Sequence, residues 1–249
     1  MTGALLLPAP FTHVGLDSVG STNDEARRRV ADGTAADLLV VTARRQTHGR
    51  GRRGRVWESP EGNLHASFLI RLDRPLAQAA QLGFVAAIAI ASALEELVPG
   101  ADVRCKWPND VLAEHRKVAG MLLESADDGW LVLGIGIDVE RAPPPGESLY
   151  AAGALAELGF GGEVGQVLVA LCRQLGPWLE CWRRDGFAPI RAAWLERARG
   201  LGEAALVRLE TETLTGQFAG LDEDGAMLLD QGAAGIRRIF AGDVFFPGS

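Results

Sequence analysis

Seven short segments in the first 140 residues are apolar, with the alternation or the unbroken runs typical of β-strands. These predicted strands cover residues 13–19, 37–43, 63–72, 102–107, 111–112, 117–125 and 130–139. The run over 37–43 is continuous and predicts a buried strand, and the last four segments are expected to align in one sheet. Gly134 and Gly136 interrupt the last strand, where glycine often marks close approach by a ligand or another backbone.

Four segments have helical patterns instead. Thr22 and Glu25 have the spacing of a capping box and Gly33 can end a helix, which predicts a helix over about 22–32. The Ala-rich segment 76–98 is apolar over most of its surface, with Gly83 as its one breaker, and predicts a buried helix. Helical periodicity returns over 163–184 and 188–199, where the tryptophans that we expect on core faces are Trp178, Trp182 and Trp194.

From Leu201 onward the pattern changes to short β runs separated by turns, after a proline-rich loop earlier at 142–148. Asp224-Gly225 is a strong hairpin signal. The sequence therefore predicts a main domain over 1–200 and a small β-barrel over 201–249, an α+β arrangement with a boundary near residue 200.

The composition is that of an ordinary folded chain: 249 residues, 47% hydrophobic, with a formal charge of −7. No uninterrupted apolar run approaches the roughly 18 to 20 residues of a membrane-spanning helix, and the N-terminal 13 residues lack the basic start of a secretory signal. We therefore expect a cytoplasmic protein without a membrane partner. Cys105, Cys172 and Cys181 are odd in number and lack CxxC spacing, so neither a disulfide framework nor a zinc knuckle is indicated.

Of the 25 basic residues, 23 are arginines and only Lys106 and Lys117 are lysines. Their clustering suggests a site that needs a compact ammonium group. The histidines at 48, 65 and 115 do not have the spacing of a metal site or of a catalytic triad.

Residues 44–57 hold six arginines and three glycines in the sequence RRQTHGRGRRGRVW. Without a counter-anion, six neighbouring cations repel one another, which disfavours a merely solvated loop. A nucleic-acid patch is also possible, but the rest of the chain is acidic and has no nucleic-acid-binding motif. A phosphate-binding loop fits best, because glycines expose N–H groups and guanidinium groups fork onto phosphate oxygens. We expect such a loop to be disordered without its ligand.

Five motifs then follow one another in a specific order: STN at 21–23, QTHGRGRRGRVW at 46–57, KWPND at 106–110, RKVAG at 116–120 and LGIGIDV at 133–139. Each alone is weak, but the ordered set resembles the biotin protein ligases. The resemblance implies a mixed sheet with flanking helices, of the type shared with class II aminoacyl-tRNA synthetases. The C-terminal β segment is similar to the family's small SH3-like domain.

The resemblance also implies a reaction. Biotin is activated by ATP, with Mg²⁺, to biotinyl-5′-AMP, and then transferred to a lysine of a biotin carboxyl carrier protein domain. The positions that would bind biotin are Ser21, Thr22, Asn23, Gln46, Gly49, Arg50, Gly51, Arg52, Lys117, Gly120, Gly134 and Gly136. Those that would bind ATP or the adenylate are Arg52, Arg55, Trp57, Asn109, Asp110, Lys117 and Asp138.

Elementary chemistry supports the catalytic residues among them. The α-phosphate gains negative charge as it is attacked, so Arg50, Arg52 and Lys117 are expected to stabilise the transition state. Asp110 is a candidate base for the attacking amine, although Asn109 and Asp110 could instead anchor ribose or magnesium-bound water. Closure of the arginine loop would exclude water from the labile adenylate.

The chain departs from the family pattern at Asp138, where the usual residue is Asn, because a carboxylate there would repel a phosphate. The end of the chain lacks an arginine that some relatives carry, so no nucleotide contact is assigned to the C-terminal domain. Since the STN motif starts at residue 21, we expect no DNA-binding domain and no operator binding, and a homodimer remains open. The alternatives are a lipoate or octanoate ligase or transferase of the same fold, and a non-catalytic biotin or nucleotide sensor.

Overall fold

The computed structural model describes residues 5–144 and 151–247. The last part of the predicted proline-rich loop, 145–148, lies outside the described residues.

The larger sheet has seven strands in the order β1-β2-β3-β7-β6-β5-β4. Its strands are β1 Thr12–Val19, β2 Leu39–Gln46, β3 Leu64–Arg71, β4 Val103–Lys106, β5 Asp110–Ala113, β6 Arg116–Ser125 and β7 Trp130–Ile137. β1 and β2 pair in parallel and the other neighbours are antiparallel, so the sheet is mixed, as expected. The seven strands lie where the apolar pattern predicts them.

Helices cover both faces of this sheet. They are α1 Thr22–Ala31, α2 Gln81–Leu97, α3 Val164–Asp185 and α4 Phe187–Glu196. α1 packs over β2, β3 and β7 on one face, and α2 packs on the other face and against α3 and α4. In the part of the chain that the structure describes, one helical segment, 76–97, is long and apolar enough to cross a membrane, and 72% of its apolar window is buried inside the fold, as in a core helix.

The smaller, C-terminal sheet has five antiparallel strands in the order β11-β10-β9-β8-β12. They are β8 Ala204–Arg208, β9 Thr213–Leu221, β10 Met227–Asp230, β11 Ile236–Ile239 and β12 Asp243–Phe245. The predicted hairpin joins β9 and β10, where Asp222 N donates to Ala226 O at 2.9 Å and Gly225 adopts a φ of 93°. A positive φ there suits glycine, which has no Cβ to clash with the turn.

Three details differ from the sequence prediction. α2 begins at Gln81 rather than 76, because residues 76–78 form a separate 3-10 turn. α4 ends at Glu196 rather than 199, because residues 197 and 199 pair with the edge of β4: Cys105 N donates to Arg197 O and Arg199 N to Cys105 O, both at 2.8 Å. Trp182 and Trp194 are buried as expected, each 1% exposed, whereas Trp178 is only partly buried at the margin of the core.

Candidate active site

A cavity of about 960 Å³ opens on the α1 side of β6 and β7. It is lined by residues from all five motifs, from the arginine loop and from the C-terminal sheet. Of the positions singled out for biotin or ATP, all but one contribute to the lining. The exception is Gly49, which is buried at the base of the loop, where its carbonyl accepts from Trp57 N at 3.0 Å.

The three strand glycines make room for side chains at the floor of this cavity. A Cβ at Gly134 would collide with the side chain of Asn23, and one at Gly136 would collide with the indole of Trp57. At Gly120 a Cβ would lie 3.0 Å from the Trp57 ring and 3.4 Å from Lys117 Nζ. The groups that approach the glycines of β7 are therefore side chains of this chain, whereas the sequence prediction named a ligand or another backbone.

One wall of the cavity is a chain of hydrogen bonds between buried polar side chains. Gln46 Oε1 accepts from Thr22 N at 2.8 Å and from Thr22 Oγ1 at 3.0 Å, while Gln46 Nε2 donates to Ser59 Oγ at 2.9 Å. Ser67 Oγ donates to Asn23 Oδ1 at 2.6 Å and lies 2.8 Å from Thr22 Oγ1. Fixed donors and acceptors of this kind recognise a polar ring of matching pattern.

Sequence reasoning did not find Ser59 or Ser67. Ser67 is the polar exception among the buried residues 66–70 of β3, and it is 0% exposed. A buried serine in an apolar strand is a signal that could have pointed to this wall, because buried hydroxyl groups need hydrogen-bond partners.

A cluster of cations around Asp110 forms a second part of the cavity. Lys117 Nζ lies 2.7 Å from Asp110 Oδ1, and Lys106 Nζ lies 3.9 Å from Asp110 Oδ2. Burial alone would raise the pKa of Asp110, but the nearby Lys117, Lys106 and Arg52 together hold that pKa below its ordinary value. The pKa of Lys106 is lowered because its ammonium group is buried, although Asp110 opposes this. Asp110 is therefore a carboxylate at neutral pH, and a poor proton acceptor.

The loop arginines find their counter-anions elsewhere in the chain. Arg50 bonds to Asp24 at 2.8 and 3.1 Å and to Glu124 at 3.0 Å, while Arg55 makes a bidentate pair with Asp243 of β12. Arg53 Nη1 lies 3.5 Å from the same Asp243 carboxylate. These contacts hold the loop over the cavity, and disorder of the loop in the absence of ligand stays a prediction.

Arg52 differs from these loop neighbours in its partner. Its Nη1 donates to Asn109 Oδ1 at 3.0 Å, a neutral amide oxygen, and burial lowers the pKa of its guanidinium group. A half-buried cation bound to an amide gains more from an incoming anion than one that already holds a carboxylate. Arg52 is thus the loop arginine best placed to receive a phosphate.

Asp138 follows β7 and lines the cavity with its side chain only 2% exposed. Asn63 Nδ2 donates to Asp138 Oδ1 at 3.0 Å. Burial raises the pKa of Asp138 to about 7, although the charge of Lys117 opposes the shift. Near neutral pH a large share of this carboxyl group is protonated, and a protonated carboxyl group can donate a hydrogen bond as an amide does.

The C-terminal sheet also contributes to the cavity wall, with Arg208, Asp243, Val244 and Phe245. Nothing in the sequence pattern indicates a nucleotide contact in this domain or distinguishes Asp243. No group of three or more His, Cys, Asp or Glu side chains poised to hold a metal occurs among the described residues. His65 is buried in β3, with Nε2 3.0 Å from Pro60 O.

Comparisons with known proteins agree with this arrangement. Residues 16–138 match the model of the "Biotin/lipoate A/B protein ligase family", and residues 200–246 match the "Biotin protein ligase C terminal domain". The chain is 41% identical to the biotin--[acetyl-CoA-carboxylase] ligase of Paracoccus denitrificans, over 92% of this chain and 98% of that protein. It is 34% identical to the bifunctional ligase/repressor BirA of Escherichia coli, over 87% of this chain and 68% of that protein.

A solved structure is similar over nearly the whole chain. It is the biotin protein ligase of Aquifex aeolicus in complex with biotin and ATP, with a TM-score of 0.80 and 29% identity, covering 94% of this chain and 99% of that one. The apo structure of the Aquifex aeolicus ligase has a TM-score of 0.79 and 26% identity, covering 95% and 99% of the two chains.

Proposed function

This chain belongs to the biotin protein ligases, and on that premise we propose that it activates biotin with ATP and transfers it to a carrier lysine. In the first step a biotin carboxylate oxygen attacks the α-phosphorus of ATP, and pyrophosphate leaves. In the second, the amine of the carrier lysine attacks the acyl carbon of biotinyl-5′-AMP, AMP leaves, and the amine loses its proton. The observation that carries the proposal is that one cavity holds both the polar wall and the cation cluster.

Each part of the cavity has a role in this scheme. The wall of Thr22, Asn23 and Gln46 supplies fixed hydrogen-bond partners for the biotin ring, with the floor glycines allowing close contact. Lys117 and Arg52 stabilise the charge that develops on the α-phosphate. The positions proposed to bind biotin and adenylate are those named from the sequence, except that Gly49 supports the loop from beneath.

Asp110 is proposed as an anchor rather than a base. Its pKa is held low by three cations, so it stays ionised and accepts a proton poorly. A carboxylate beside a phosphate site fits Mg²⁺, which is held by one or two carboxylates together with substrate phosphates and water. Mg²⁺ bound with ATP would neutralise phosphate charge, and Asp110 with Asn109 would hold it or the ribose.

Trp57 is proposed to face the adenylate. Its indole lies against Gly136 and within 5.4 Å of Lys117 Nζ, measured to the ring centroid, and its Nε1 is buried without a hydrogen-bond partner in the described residues. A flat, half-buried ring at the edge of a phosphate site offers a stacking surface for a nucleobase.

The acceptor is proposed to be the biotin carboxyl carrier domain of an acetyl-CoA carboxylase, the substrate that the name of the Paracoccus relative gives. We place the reaction in the cytoplasm, with no DNA or membrane partner. The C-terminal sheet is proposed to form an SH3-like barrel in a domain beginning near residue 201. Size-exclusion measurements decide whether two chains pair through an edge of the large sheet, and a gel shift tests the absence of DNA binding.

ATP–pyrophosphate exchange tests the first step. The expected result is exchange stimulated by biotin and not by lipoate or octanoate. Stimulation by lipoate or octanoate alone would favour the alternative acyl ligase. Binding of biotin and ATP with no exchange would favour a non-catalytic sensor.

A further inference from the structure

Glu124 lies on β6, outside all five motifs, and contacts two groups of the proposed ligand site at once. Its Oε2 accepts from Asn23 Nδ2 at 2.7 Å and from Arg50 Nη2 at 3.0 Å. Residues two apart on a strand share a face, so Glu124 lies on the face of Gly120 and Leu122, which both line the cavity. Its side chain is 23% exposed, and the carboxylate bridges the inner wall and the loop at the surface.

The hydrogen bond from Asn23 to Glu124 fixes the orientation of the Asn23 amide in the polar wall. A carboxylate only accepts hydrogen bonds, so the NH₂ group of Asn23 must face Glu124 and its carbonyl oxygen must face Ser67. The single hydrogen of Ser67 is thereby committed to Asn23 Oδ1. Gln46 is oriented independently of Glu124, because its Oε1 accepts from the backbone N–H of Thr22.

Without the carboxylate, the amide of Asn23 has two orientations of similar energy. Ser67 can either donate to the amide oxygen or accept from the amide nitrogen, because a hydroxyl group does both. A wall in which the Asn23 amide populates both orientations binds the biotin ring less tightly, because only one orientation matches the donors and acceptors of the ring.

The second contact couples this wall to the arginine loop. Arg50 is held from one side by Asp24, at 2.8 and 3.1 Å, and from the other by Glu124. The Glu124 carboxylate, which orients Asn23, therefore also anchors the arginine loop over the cavity.

Resting on the proposed function, we propose that Glu124 is a positioning residue of the biotin site, which orients Asn23 for the biotin ring and holds Arg50 closed over the bound adenylate. Glu124 touches neither the reacting carboxylate nor the α-phosphate in this scheme, so it governs affinity and retention rather than the chemical step.

Two substitutions separate the hydrogen bond with Asn23 from the ion pair with Arg50. Glu124→Ala removes both. Glu124→Gln keeps one carbonyl oxygen in the place of Oε2, where it accepts from Asn23 and Arg50, but it loses the negative charge and the Oε1 contact with Arg50 at 3.2 Å. Glu96→Gln is the matched control, because Glu96 accepts from Arg173 at 2.7 Å on the outer surface of α2, away from the cavity.

Each protein is measured for biotin binding by calorimetry, for the KM and kcat of biotin-dependent pyrophosphate exchange, and for the release rate of biotinyl-5′-AMP. We expect Glu124→Ala to weaken biotin binding about tenfold to a hundredfold, the range for loss of a hydrogen bond to a charged group. The KM should rise in parallel while kcat stays within about threefold, because Lys117 and Arg52, which stabilise the α-phosphate in this scheme, do not contact Glu124.

Glu124→Gln should restore biotin affinity to within about threefold of wild type, since the bond to Asn23 is retained. It should still release the adenylate faster, by up to about fivefold, because an exposed ion pair contributes up to about 1 kcal/mol. Glu96→Gln should match wild type in all three measurements.

Biotin affinity of Glu124→Ala equal to wild type would overturn the proposal, as would Glu124→Gln binding biotin as weakly as Glu124→Ala. If Glu124→Ala does not fold, the comparison of Glu124→Gln with Glu96→Gln decides. The proposal then requires that Glu124→Gln releases the adenylate faster than wild type and keeps wild-type biotin affinity, and that Glu96→Gln shows no faster release. A wild-type protein that shows no biotin-dependent exchange would instead refute the proposed function, and would do so before any variant is compared.

Discussion

Replacing Asp138 with Asn tests whether burial has made this carboxyl group behave like an amide. The pKa of Asp138 is raised from 3.8 to about 7, chiefly by burial. The folded state therefore binds this proton more tightly than the unfolded chain does. Its contribution to stability is fully present below about pH 4 and is lost as the pH rises through about 7.

The size of the effect follows from the shift. About three pKa units at 1.36 kcal/mol each give about 4 kcal/mol between pH 4 and pH 8. Asn is neutral at every pH, nearly the same size, and its carbonyl oxygen can still accept from Asn63 Nδ2. The free energy of unfolding of Asp138→Asn minus that of wild type should therefore grow by up to about 4 kcal/mol over this range.

Urea unfolding of both proteins at unit steps from pH 4 to 8 measures this difference, because the titration of all other groups cancels. Asp128→Asn, at an exposed turn between β6 and β7, makes the same charge change at the surface and is the control. Asp138 is proposed to donate to the adenylate when protonated, so wild-type ATP affinity should fall above pH 7 and that of the Asn variant should not. A stability difference that is constant with pH would refute the argument.

Three further substitutions test other parts of the site. Lys117→Ala should lower kcat for pyrophosphate exchange about a hundredfold to a thousandfold, with the circular dichroism spectrum unchanged; near-normal exchange would remove Lys117 from the mechanism. Gly136→Ala places a methyl group against the Trp57 indole and should destabilise the fold or displace the ring at a cost of about 1 to 3 kcal/mol, measured by thermal unfolding and ATP titration; wild-type values in both would contradict the packing. Asp243→Asn removes the charge that pairs with Arg55 and Arg53 and should speed tryptic cleavage in the loop up to about fivefold, and an unchanged cleavage rate would show that β12 does not hold the loop.

Local pattern was enough for the order of the strands and helices, because hydrophobic period, caps and turn residues are read within a few neighbouring positions. β7 is predicted over 130–139 and is found at Trp130–Ile137, and its glycines line the cavity. That the motif residues lie together in one cavity could be predicted only from the resemblance. Periodicity alone contains no information about contacts between distant parts of the chain.

The partners of those motifs could not be predicted in the same way. Ser67 lies 44 residues from Asn23, Glu124 lies 101 residues from it, and Asp243 lies 188 residues from Arg55. The arginine loop contains no acid of its own, so its local sequence suggested unbalanced repulsion. The fold balances it with carboxylates from α1, β6 and β12, which only the topology brings near.

The most direct measurement of the central claim is the intact mass of a biotin carboxyl carrier domain after incubation with this protein, biotin and Mg-ATP. The account predicts a gain of one biotinyl group on the carrier, dependent on ATP and greatly slowed by Lys117→Ala. An unmodified carrier, under conditions in which an established biotin protein ligase modifies it fully, would contradict the account.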